Sequence, residues 1–442
     1  MKNSTAMAAL LVLLVTTAGL AEVPLFNDPV DYAVDDRPRE IVLADLDGDG
    51  DADLAVANFY AHNVSILMNN GDGTFEAAVN YAVGSYPNHI SASDLDGDGD
   101  NDLAVTCETT DAVYILRNNG HGKFVGAANY PAGDAPGCVF AAKLDEDDYI
   151  DLAVANAYSD NVSVLINNGN GTFAPPVNYD AGEGSVSVSA SDLDGDRDAH
   201  LAVANPGSGN VSILMNNGNG TFAPAVNYEV AKSVVAVSAS KLDEDDNVDL
   251  AVVSAYYDMV YILKNNGDGT FADPVEYAVG DAPYNVIASD VDGDGNNDLA
   301  VANYWSDSVS ILLNNGDGTF DAAVNYVVGE GPASVSASDL DGDGDTDLAV
   351  GNYDANTVSI LFNLTPPSQP QYQCRLRGDV DRSLQVDILD VDYFVDWLYR
   401  GSPAPLCPDE ADVDGNQQQD ILDIDYMIDW LYRGGPPPMP CP

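Results

Sequence analysis

Short runs of small and apolar residues alternate with glycine- and asparagine-rich polar segments along most of the chain. In one unit the apolar runs are HISASD, DLAVTC, AVYILRN and FVGAANY. Runs of this length, separated by turn residues and without a sustained helical period, are typical of β-strands. The pattern therefore predicts four strands in each unit.

The acidic segment DLDGDGDADLAV, which begins at Asp45, returns every 49 residues without insertion or deletion. The later copies begin at Asp94, Lys143, Asp192, Lys241, Asp290 and Asp339. The turn sequence NNGDGTF repeats in step, and its Asn-Gly and Asp-Gly pairs favour the positive φ angles of tight hairpins. A fixed period of this size is typical of propellers and solenoids.

The ends of the repeat region decide between a ring and an open stack. After the seventh acidic segment, the strand TVSILFN is not followed by the usual F…VNY strand. The missing strand stands at the other end, because FNDPVDYAV begins at Phe26, 49 residues before Phe75. A solenoid would need atypical caps at both ends. We therefore predict an all-β, seven-bladed propeller over residues 22–363, with four antiparallel strands per blade and an N-terminal strand that completes the last blade.

Charge restricts the partners of this chain of 442 residues. Asp and Glu number 72 against 15 Lys and Arg, which gives a formal net charge of -57. Such a protein repels nucleic acid and anionic lipid. Cations, neutral sugars and other proteins remain as partners.

Residues 1–21 have the pattern of a secretory signal: Lys2, an apolar run over 6–15, and small residues ending at Ala21. The alternative is a buried N-terminal helix. No other stretch of the sequence is long and apolar enough to span a bilayer. We expect a secreted, extracellular protein without a membrane span, and attachment to a cell surface is compatible with this.

Each acidic loop has nine positions, of which the first, third, fifth and ninth offer side-chain oxygens and the seventh a backbone carbonyl. Two like charges about 4 Å apart repel by roughly 1 kcal/mol in water and about 4 kcal/mol at a surface-like dielectric. The loop therefore requires a cation, and oxygen-only ligation suits Ca2+ better than Mg2+ or a softer metal. The alternative is a set of solvated turns without metal. In the four intact loops the candidate residues are Asp45, Asp47, Asp49, Asp51 and Asp53; Asp94, Asp96, Asp98, Asp100 and Asp102; Asp290, Asp292, Asp294, Asn296 and Asp298; and Asp339, Asp341, Asp343, Asp345 and Asp347.

Three loops depart from this pattern. The loop at Asp192 retains Asp194 and Asp196 as candidate ligands, but Arg197 replaces a glycine and His200 stands at the ninth position. In the other two loops, Lys143 and Lys241 replace the first acid. We predict that each ammonium group replaces the ion by an internal salt bridge, with Asp145, Asp147 and Asp151 in one loop and Asp243, Asp245 and Asp249 in the other.

With the inter-blade segment VGDAP, these motifs resemble the FG-GAP or VCBS repeat family, which includes the calcium-binding propeller of integrin α subunits. The resemblance implies structural calcium sites on one face, away from the ligand. Loops of the opposite face carry many aromatic residues, which favour contact with protein or sugar. The candidate ligand-face residues are Tyr60, Tyr257, Tyr304 and Trp305. The alternative role for such rings is packing between blades.

Beyond a proline-rich linker at 364–373, residues 374–442 contain two copies of a calcium loop followed by an amphipathic helix, 33 residues apart. Their arrangement follows EF-hand logic with Asp in place of the terminal Glu. The candidate ligands are Asp379, Asp381, Ser383, Gln385, Asp387 and Asp390, then Asp412, Asp414, Asn416, Gln418, Asp420 and Asp423.

This duplicated unit resembles a type I dockerin, whose partner is a cohesin module on a scaffold or surface protein. By the resemblance, the partner-binding pairs are Ile388 with Leu389 and Ile421 with Leu422. Core packing is their alternative role. Leu384 and Gln417 stand where the family has glycine, so this chain departs from the pattern there.

Three functions follow from these features. The first is a binding module for protein or carbohydrate, anchored through the dockerin-like region. The second is a tethered polysaccharide-degrading enzyme, either a glycoside hydrolase or a lyase, and the third is a structural adhesion protein. The sequence has neither a nucleophile elbow nor an HExxH motif, and no insertion interrupts the period to form a cleft. Binding is therefore favoured over catalysis.

Overall fold

The structure, a computed structural model, describes residues 25–364. Within that range, 28 strands form seven four-stranded antiparallel sheets, and a short 3-10 helix covers Glu108–Thr110. The predicted signal sequence, the linker after residue 364 and the dockerin-like region, with its candidate calcium and cohesin-binding residues, lie outside the described residues.

The strands follow the chain, four to a blade. Blade 1 contains β2 (Pro38–Ala44), β3 (Asp53–Asn58), β4 (Asn63–Leu67) and β5 (Val79–Ala82). Blade 2 contains β6 (Pro87–Ser93), β7 (Asp102–Cys107), β8 (Ala112–Arg117) and β9 (Val125–Pro131). Blade 3 contains β10 (Pro136–Ala142), β11 (Asp151–Asn156), β12 (Asn161–Leu165) and β13 (Val177–Asp180). Blade 4 contains β14 (Ser187–Ser191), β15 (His200–Asn205), β16 (Asn210–Leu214) and β17 (Val226–Glu229).

Blade 5 contains β18 (Val234–Ser240), β19 (Asp249–Ser254), β20 (Met259–Leu263) and β21 (Val275–Ala278). Blade 6 contains β22 (Pro283–Ser289), β23 (Asp298–Asn303), β24 (Ser308–Leu312) and β25 (Val324–Val327). Blade 7 contains β26 (Pro332–Ser338), β27 (Asp347–Asn352) and β28 (Thr357–Leu361), and its fourth strand is β1 (Val30–Ala33).

The N-terminal strand closes the ring, as the repeat spacing predicted. Strand β1 pairs antiparallel with β28, with Val30 opposite Ile360 and Ala33 opposite Thr357. The four-stranded, seven-bladed architecture is therefore confirmed. Closure is complete, because every first strand lies beside the first strands of its two neighbours around the ring.

The core lies between blades. The second strand of every blade, such as Asp53–Asn58, is buried along its whole length, because its two faces pack on the adjacent blades. Leu103 and Val105 of blade 2, for example, pack with Ala55 and Val64 of blade 1. Burial of each large aliphatic side chain contributes about 1.5–3 kcal/mol.

The topology separates two faces. The acidic loops join first to second strands, and the NNGDGTF turns join third to fourth strands, so both lie at one end of the blades, here called the acidic face. The loops between second and third strands and between blades lie at the opposite end, here called the aromatic face. The first strands surround a central channel.

Candidate functional site

Each intact acidic loop curls around its own first aspartate. In blade 1, Asp45 Oδ1 accepts the N–H of Gly48 at 2.7 Å and Asp45 Oδ2 accepts that of Gly50 at 3.1 Å. Gly48 and Gly50 have φ angles of 83° and 99°, a region that side chains other than glycine disfavour. The glycines therefore allow one carboxylate to fix the loop while the other carboxylates converge.

Five of the seven loops bring three or more candidate ligand atoms within 4.8 Å of one another. The sets are Asp45, Asp47 and Asp53; Asp94, Asp96 and Asp98; Asp192, Asp194, Asp196 and His200; Asp290, Asp292 and Asp294; and Asp339, Asp341 and Asp347. Except for His200 the donors are carboxylate oxygens, which fits a hard divalent cation such as calcium. Burial, followed by repulsion from Asp49, raises the pKa of Asp47.

Two loops contain buried carboxylate oxygens that are without a hydrogen bond within residues 25–364. They are Oδ1 of Asp96, Oδ2 of Asp102 and both oxygens of Asp345. A buried acceptor that is left unpaired costs about 1–3 kcal/mol. Burial, with repulsion from Asp343, raises the pKa of Asp345 to about 7. A cation in the loop at Asp94 would provide a partner for the Asp96 oxygen, whereas Asp345 stands at the seventh position of its loop and outside the carboxylate set.

The seventh-position side chains face away from the carboxylate sets. Asp51 lies against Gly71 of the neighbouring turn, where a Cβ atom would come within 2.5 Å of Asp51 Oδ2. Asp100 and Asn296 lie in the same way against Gly120 and Gly316. This arrangement leaves a backbone carbonyl as the group that the seventh position can offer, as the sequence predicted. The remaining predicted side chains, Asp49, Asp102, Asp298 and Asp343, lie in these loops but outside the sets.

The ninth aspartate is a buried anchor as well as a candidate ligand. In blade 1, Asp53 Oδ1 accepts the N–H of Asn69 at 2.7 Å and Asp53 Oδ2 accepts that of Leu46 at 2.9 Å. Burial raises the pKa of Asp53 to about 6 in spite of these bonds. The same cause raises the pKa of Asp102, Asp151, Asp249 and Asp347 to about 6 and that of Asp298 to about 7.

In blade 4, His200 replaces the ninth aspartate and accepts one of the two backbone N–H bonds that Asp53 accepts in blade 1. Its Nδ1 accepts the N–H of Asn216 at 2.9 Å, so the proton of a neutral ring is on Nε2, which lies 3.0 Å from Asp194 Oδ1. Burial raises the pKa of Asp194, but hydrogen bonds led by that from His200 outweigh it and lower the pKa overall. Arg197 occupies the glycine position with a φ of 79°. The N–H of His200 therefore stands where a cation would be coordinated by Asp194.

The partners predicted for the two lysines are wrong. Lys143 Nζ lies 3.0 Å from Asp148 Oδ1, and Lys241 Nζ lies 2.8 Å from Asp246 Oδ1, rather than against the inward carboxylates. Both sixth-position aspartates are more than nine-tenths exposed, so these pairs lie on the outer side of the loop. Each lysine thus pairs within its own loop, but not with the carboxylates that would hold an ion, and solvent screening leaves the pair a small contribution.

Two other cations, which sequence reasoning missed, reach the third position of their loops. Lys264 Nζ lies 3.3 Å from Asp243 Oδ2, and Arg117 Nη1 lies 3.6 Å from Asp96 Oδ2. Their common signal is a basic residue just before the NN pair of the turn, where other blades have Met, Ile, Leu or Phe. Lys264 therefore supplies charge in a loop that has lost its first acid.

The first asparagine of each NN pair was also missed, and it joins adjacent blades. Asn118 Nδ2 donates to the carbonyl of Leu46 in the preceding blade at 2.7 Å and to that of Asn101 at 3.0 Å. The bond across the blade boundary recurs in all seven blades, with asparagines 69, 167, 216, 265, 314 and 363. Each acidic loop is thus tied to the next blade.

On the opposite face, rings from blades 6, 7 and 1 form one aromatic cluster, consisting of Phe59, Tyr60, Tyr86, Tyr284, Tyr304, Trp305 and Tyr353. Ring centroids lie 5.3 Å apart for Phe59 and Tyr60, 6.3 Å for Tyr304 and Tyr353, and 6.0 Å for Tyr304 and Trp305. Trp305 is 75 % exposed and Tyr60 49 %. Tyr304 is less exposed, and its hydroxyl donates to Asp354 at 2.8 Å. Three predicted ligand-face residues therefore meet in one surface.

Tyr257 does not join the aromatic cluster. It forms a separate pair with Tyr256, with centroids 4.9 Å apart. Two guanidinium groups lie within the cluster instead, Arg37 at 4.9 Å from the Tyr353 ring and Arg39 at 5.1 Å from the Phe59 ring. The surface therefore combines exposed planar rings with cationic hydrogen-bond donors.

A family model described as FG-GAP-like repeat matches residues 45–105, 94–154, 143–203, 241–301 and 290–350. The chain belongs to this family. The matched FG-GAP-like segments span more than half of the chain, and each begins at the first residue of an acidic loop. A comparison with curated proteins gives no match.

Solved structures share the fold of this FG-GAP-like propeller at low identity. BBS1N in complex with ARL6DN has a TM-score of 0.56 at 17% identity, covering 77% of this chain and 97% of that chain. An Agrocybe aegerita lectin that recognises non-reducing terminal N-acetylglucosamine has a TM-score of 0.51 at 19% identity, covering 75% and 97%. Virginiamycin B lyase from Staphylococcus aureus has a TM-score of 0.53 at 11% identity, covering 77% and 100%. These likenesses show the fold alone.

Proposed function

We propose that this chain is a secreted, calcium-stabilised binding protein whose aromatic cluster recognises carbohydrate. In this proposal its C-terminal region anchors it to a cohesin-bearing scaffold or surface protein. The observation that carries the binding function is the aromatic cluster itself, since contiguous exposed rings are the feature of this face that a folded monomer would not otherwise need.

Calcium is proposed for the loops beginning at Asp45, Asp94, Asp290 and Asp339. Each gathers at least three carboxylates, and the loop at Asp94 also contains buried oxygens that lack partners within the described range. Bound calcium would neutralise these groups and hold each loop, and with it the asparagine bond to the next blade. We assign it no part in a reaction.

Carbohydrate is favoured as the ligand class by the composition of the aromatic cluster. Trp305 and Tyr60 offer flat apolar surfaces, and Arg39 offers N–H donors beside them, whereas Arg37 is ion-paired with Asp354. A lectin with the same fold shows that a propeller of this size can present a sugar site. Secretion and cohesin binding are proposed from the sequence alone, by the signal-like N-terminus and the duplicated loop–helix units.

A glycan array with the calcium-loaded full chain tests the binding proposal. The affinity for any sugar found should be measured by calorimetry for the parent chain and for Trp305→Ala, which is expected to bind at least tenfold more weakly. Tyr256→Ala is the matched control, because Tyr256 is 65 % exposed but belongs to the separate tyrosine pair.

Three results would contradict the proposal. They are the absence of any glycan signal, equal losses in the two variants, and a protein ligand recovered in place of sugar. Release of unsaturated or reducing sugar from a polysaccharide would establish the enzyme alternative. A pull-down with cohesin modules, compared between the full chain and a chain ending at residue 364, tests the anchoring proposal separately.

A further inference from the structure

The central channel holds a cavity of about 310 Å³ that opens on the aromatic face. One position of the repeat recurs in its wall. This position is residue 40 in blade 1, and it recurs every 49 residues in the following blades. The occupants of that position that line the cavity are Glu40, His89, Cys138, Ser187, Ala236 and Asn285. The repeat thus places different functional groups in one ring, although the surrounding scaffold is nearly invariant.

Glu40 and His89 are adjacent in this ring but do not form a hydrogen bond with each other. His89 Nε2 lies 3.9 Å from Glu40 Oε2, beyond hydrogen-bond distance. His89 Nδ1 is buried and has no hydrogen-bond partner among residues 25–364. The side chains of Glu40 and His89 are only 14% and 24% exposed, and both line the cavity.

Glu40 also lacks a strong counter-ion. Within the described part of the chain, no lysine or arginine forms an ion pair with it. Arg39 is its sequence neighbour, but the Arg39 guanidinium lies over the Phe59 ring, 5.1 Å from its centroid. Burial raises the pKa of Glu40 to about 8, and burial lowers the pKa of His89 to about 4. At neutral pH both groups are therefore uncharged until a cation enters.

Part of the cavity wall contributed by blades 4 and 5 is apolar. It includes Val186, Val235 and Ala236, and two tyrosines, Tyr158 and Tyr284, stand towards its mouth. Cys138 belongs to the same ring, but its thiol donates to the Val188 carbonyl at 3.5 Å, and burial raises its pKa to about 12. Soft metals bind the thiolate form of cysteine, so a thiol that is protonated and already hydrogen-bonded disfavours a soft-metal site. The cavity therefore has Glu40 and His89 on one side and valine and alanine side chains on another, and Arg39, Glu108, Asn88, Ser187 and Asn285 also line it.

We propose that this channel site binds a small organic ammonium ion, with its nitrogen on the Glu40 carboxylate and its apolar part against the valine wall. The uncommitted His89 ring can turn to accept a second N–H from the ligand. The tyrosines at the mouth favour a passing cation through their ring faces. The net charge of -57 draws cations towards the channel and repels anions from it.

Calorimetry on the calcium-loaded full chain tests the proposal, with 2-phenylethylammonium as the probe and 2-phenylethanol as its neutral counterpart. At pH 7 the amine should bind at least tenfold more tightly than the alcohol. Because Glu40 must lose its proton when the amine binds, the heats in cacodylate and MOPS buffers should differ by about one released proton.

Glu40→Gln imitates the protonated acid, so it should fold normally and lose the preference for the amine while alcohol binding is unchanged. Glu229→Gln is the matched control, because it removes one carboxylate from the exposed outer strand of blade 4. If Glu40→Gln is unstable, the number of protons released when the amine binds to the parent chain still tests the proposal. Equal binding of amine and alcohol, unaltered amine binding in Glu40→Gln, zinc binding in place of the amine, or no binding at all would overturn the proposal.

Discussion

The strongest test of the calcium loops is the opposite pH dependence expected with and without the ion. Asp53 is 1% exposed, and burial raises its pKa from 3.8 to about 6 in the absence of a cation. The folded chain then binds more protons than the unfolded chain between these values. Without calcium, stability should therefore fall as pH rises from about 4 to 6 and remain low at pH 7.

The magnitude follows from the same pKa difference. A difference of about two, at 1.36 kcal/mol for each pKa unit, corresponds to roughly 3 kcal/mol for one such aspartate at pH 7. Calcium reverses the sign, because it binds the ionised loop. At a free concentration of one hundred times the dissociation constant, each site gains about 2.7 kcal/mol. Several loops share these properties, so the combined effect should be large.

The assay is thermal unfolding of protein dialysed free of calcium, compared with protein in millimolar calcium, at about pH 5 and pH 7. Without calcium, Tm should be higher at pH 5 than at pH 7. With calcium, Tm should be higher at pH 7, and the gain from the ion should be greatest there. Asp53→Asn removes one carboxylate from the loop, so it should reduce the gain in Tm on adding calcium at pH 7.

The reasoning fails if Tm without calcium is the same at both pH values. It fails equally if calcium leaves Tm unchanged at pH 7 and elemental analysis finds no bound ion. A rise in Tm with pH in both conditions would show that other groups dominate and that the buried aspartates are not the main cause.

Three further perturbations test the blade-to-loop contacts. Arg117→Met removes a cation 3.6 Å from Asp96 and should raise the calcium affinity of that loop about fivefold by calorimetry, since such a pair contributes roughly 1 kcal/mol in water; no change would contradict this competition. Asn118→Ala removes the side-chain donor to the Leu46 and Asn101 carbonyls, of which that of Leu46 keeps the N–H of Gly122, and it should lower the free energy of unfolding by about 1–3 kcal/mol. Asn119→Ala, on the exposed neighbour, should have little effect. Deleting Val30–Ala33 should abolish cooperative unfolding, because blade 7 loses its fourth strand; an unchanged transition would show that closure is dispensable.

The fold was accessible from the sequence because its information is periodic. Seven copies without insertions fix the number of blades, and the position of Phe26 relative to Phe75 fixes the closure. The spacing also placed the carboxylates of each intact loop together, since they lie within nine residues of one another. Local geometry of this kind depends on turn residues that the sequence displays directly.

Contacts between blades were less accessible. The bond from Asn118 to Leu46 joins residues 72 apart, and only the blade stacking brings them together. Lys143 pairs with Asp148 because its ammonium group lies on the outer side of the loop. The alternation of acidic residues along the sequence does not determine on which side a lysine lies. The separation of Tyr257 from the aromatic cluster likewise follows from the order of blades around the ring.

The ring of channel residues could have been predicted from the sequence, but sequence reasoning missed it. Glu40, His89 and Cys138 occupy equivalent positions at intervals of 49 residues, so alignment of the repeats brings them into one column. The acidic loops are easier to recognise because four of the seven copies share one complete pattern. Variation at one inward position among otherwise similar strands is the better indicator of an individual site.

The closure of blade 7 also determines how the propeller carries a mechanical load. Leu364 donates its N–H to the Leu25 carbonyl at 2.7 Å, so the described chain enters and leaves through neighbouring strands. Tension transmitted through residue 364 therefore reaches the β1–β28 ladder before any other blade. Opposing forces on residues 25 and 364 would peel β1 from β28, starting at that end, and would open the ring, whereas a partner that holds both ends together would leave the ladder unloaded.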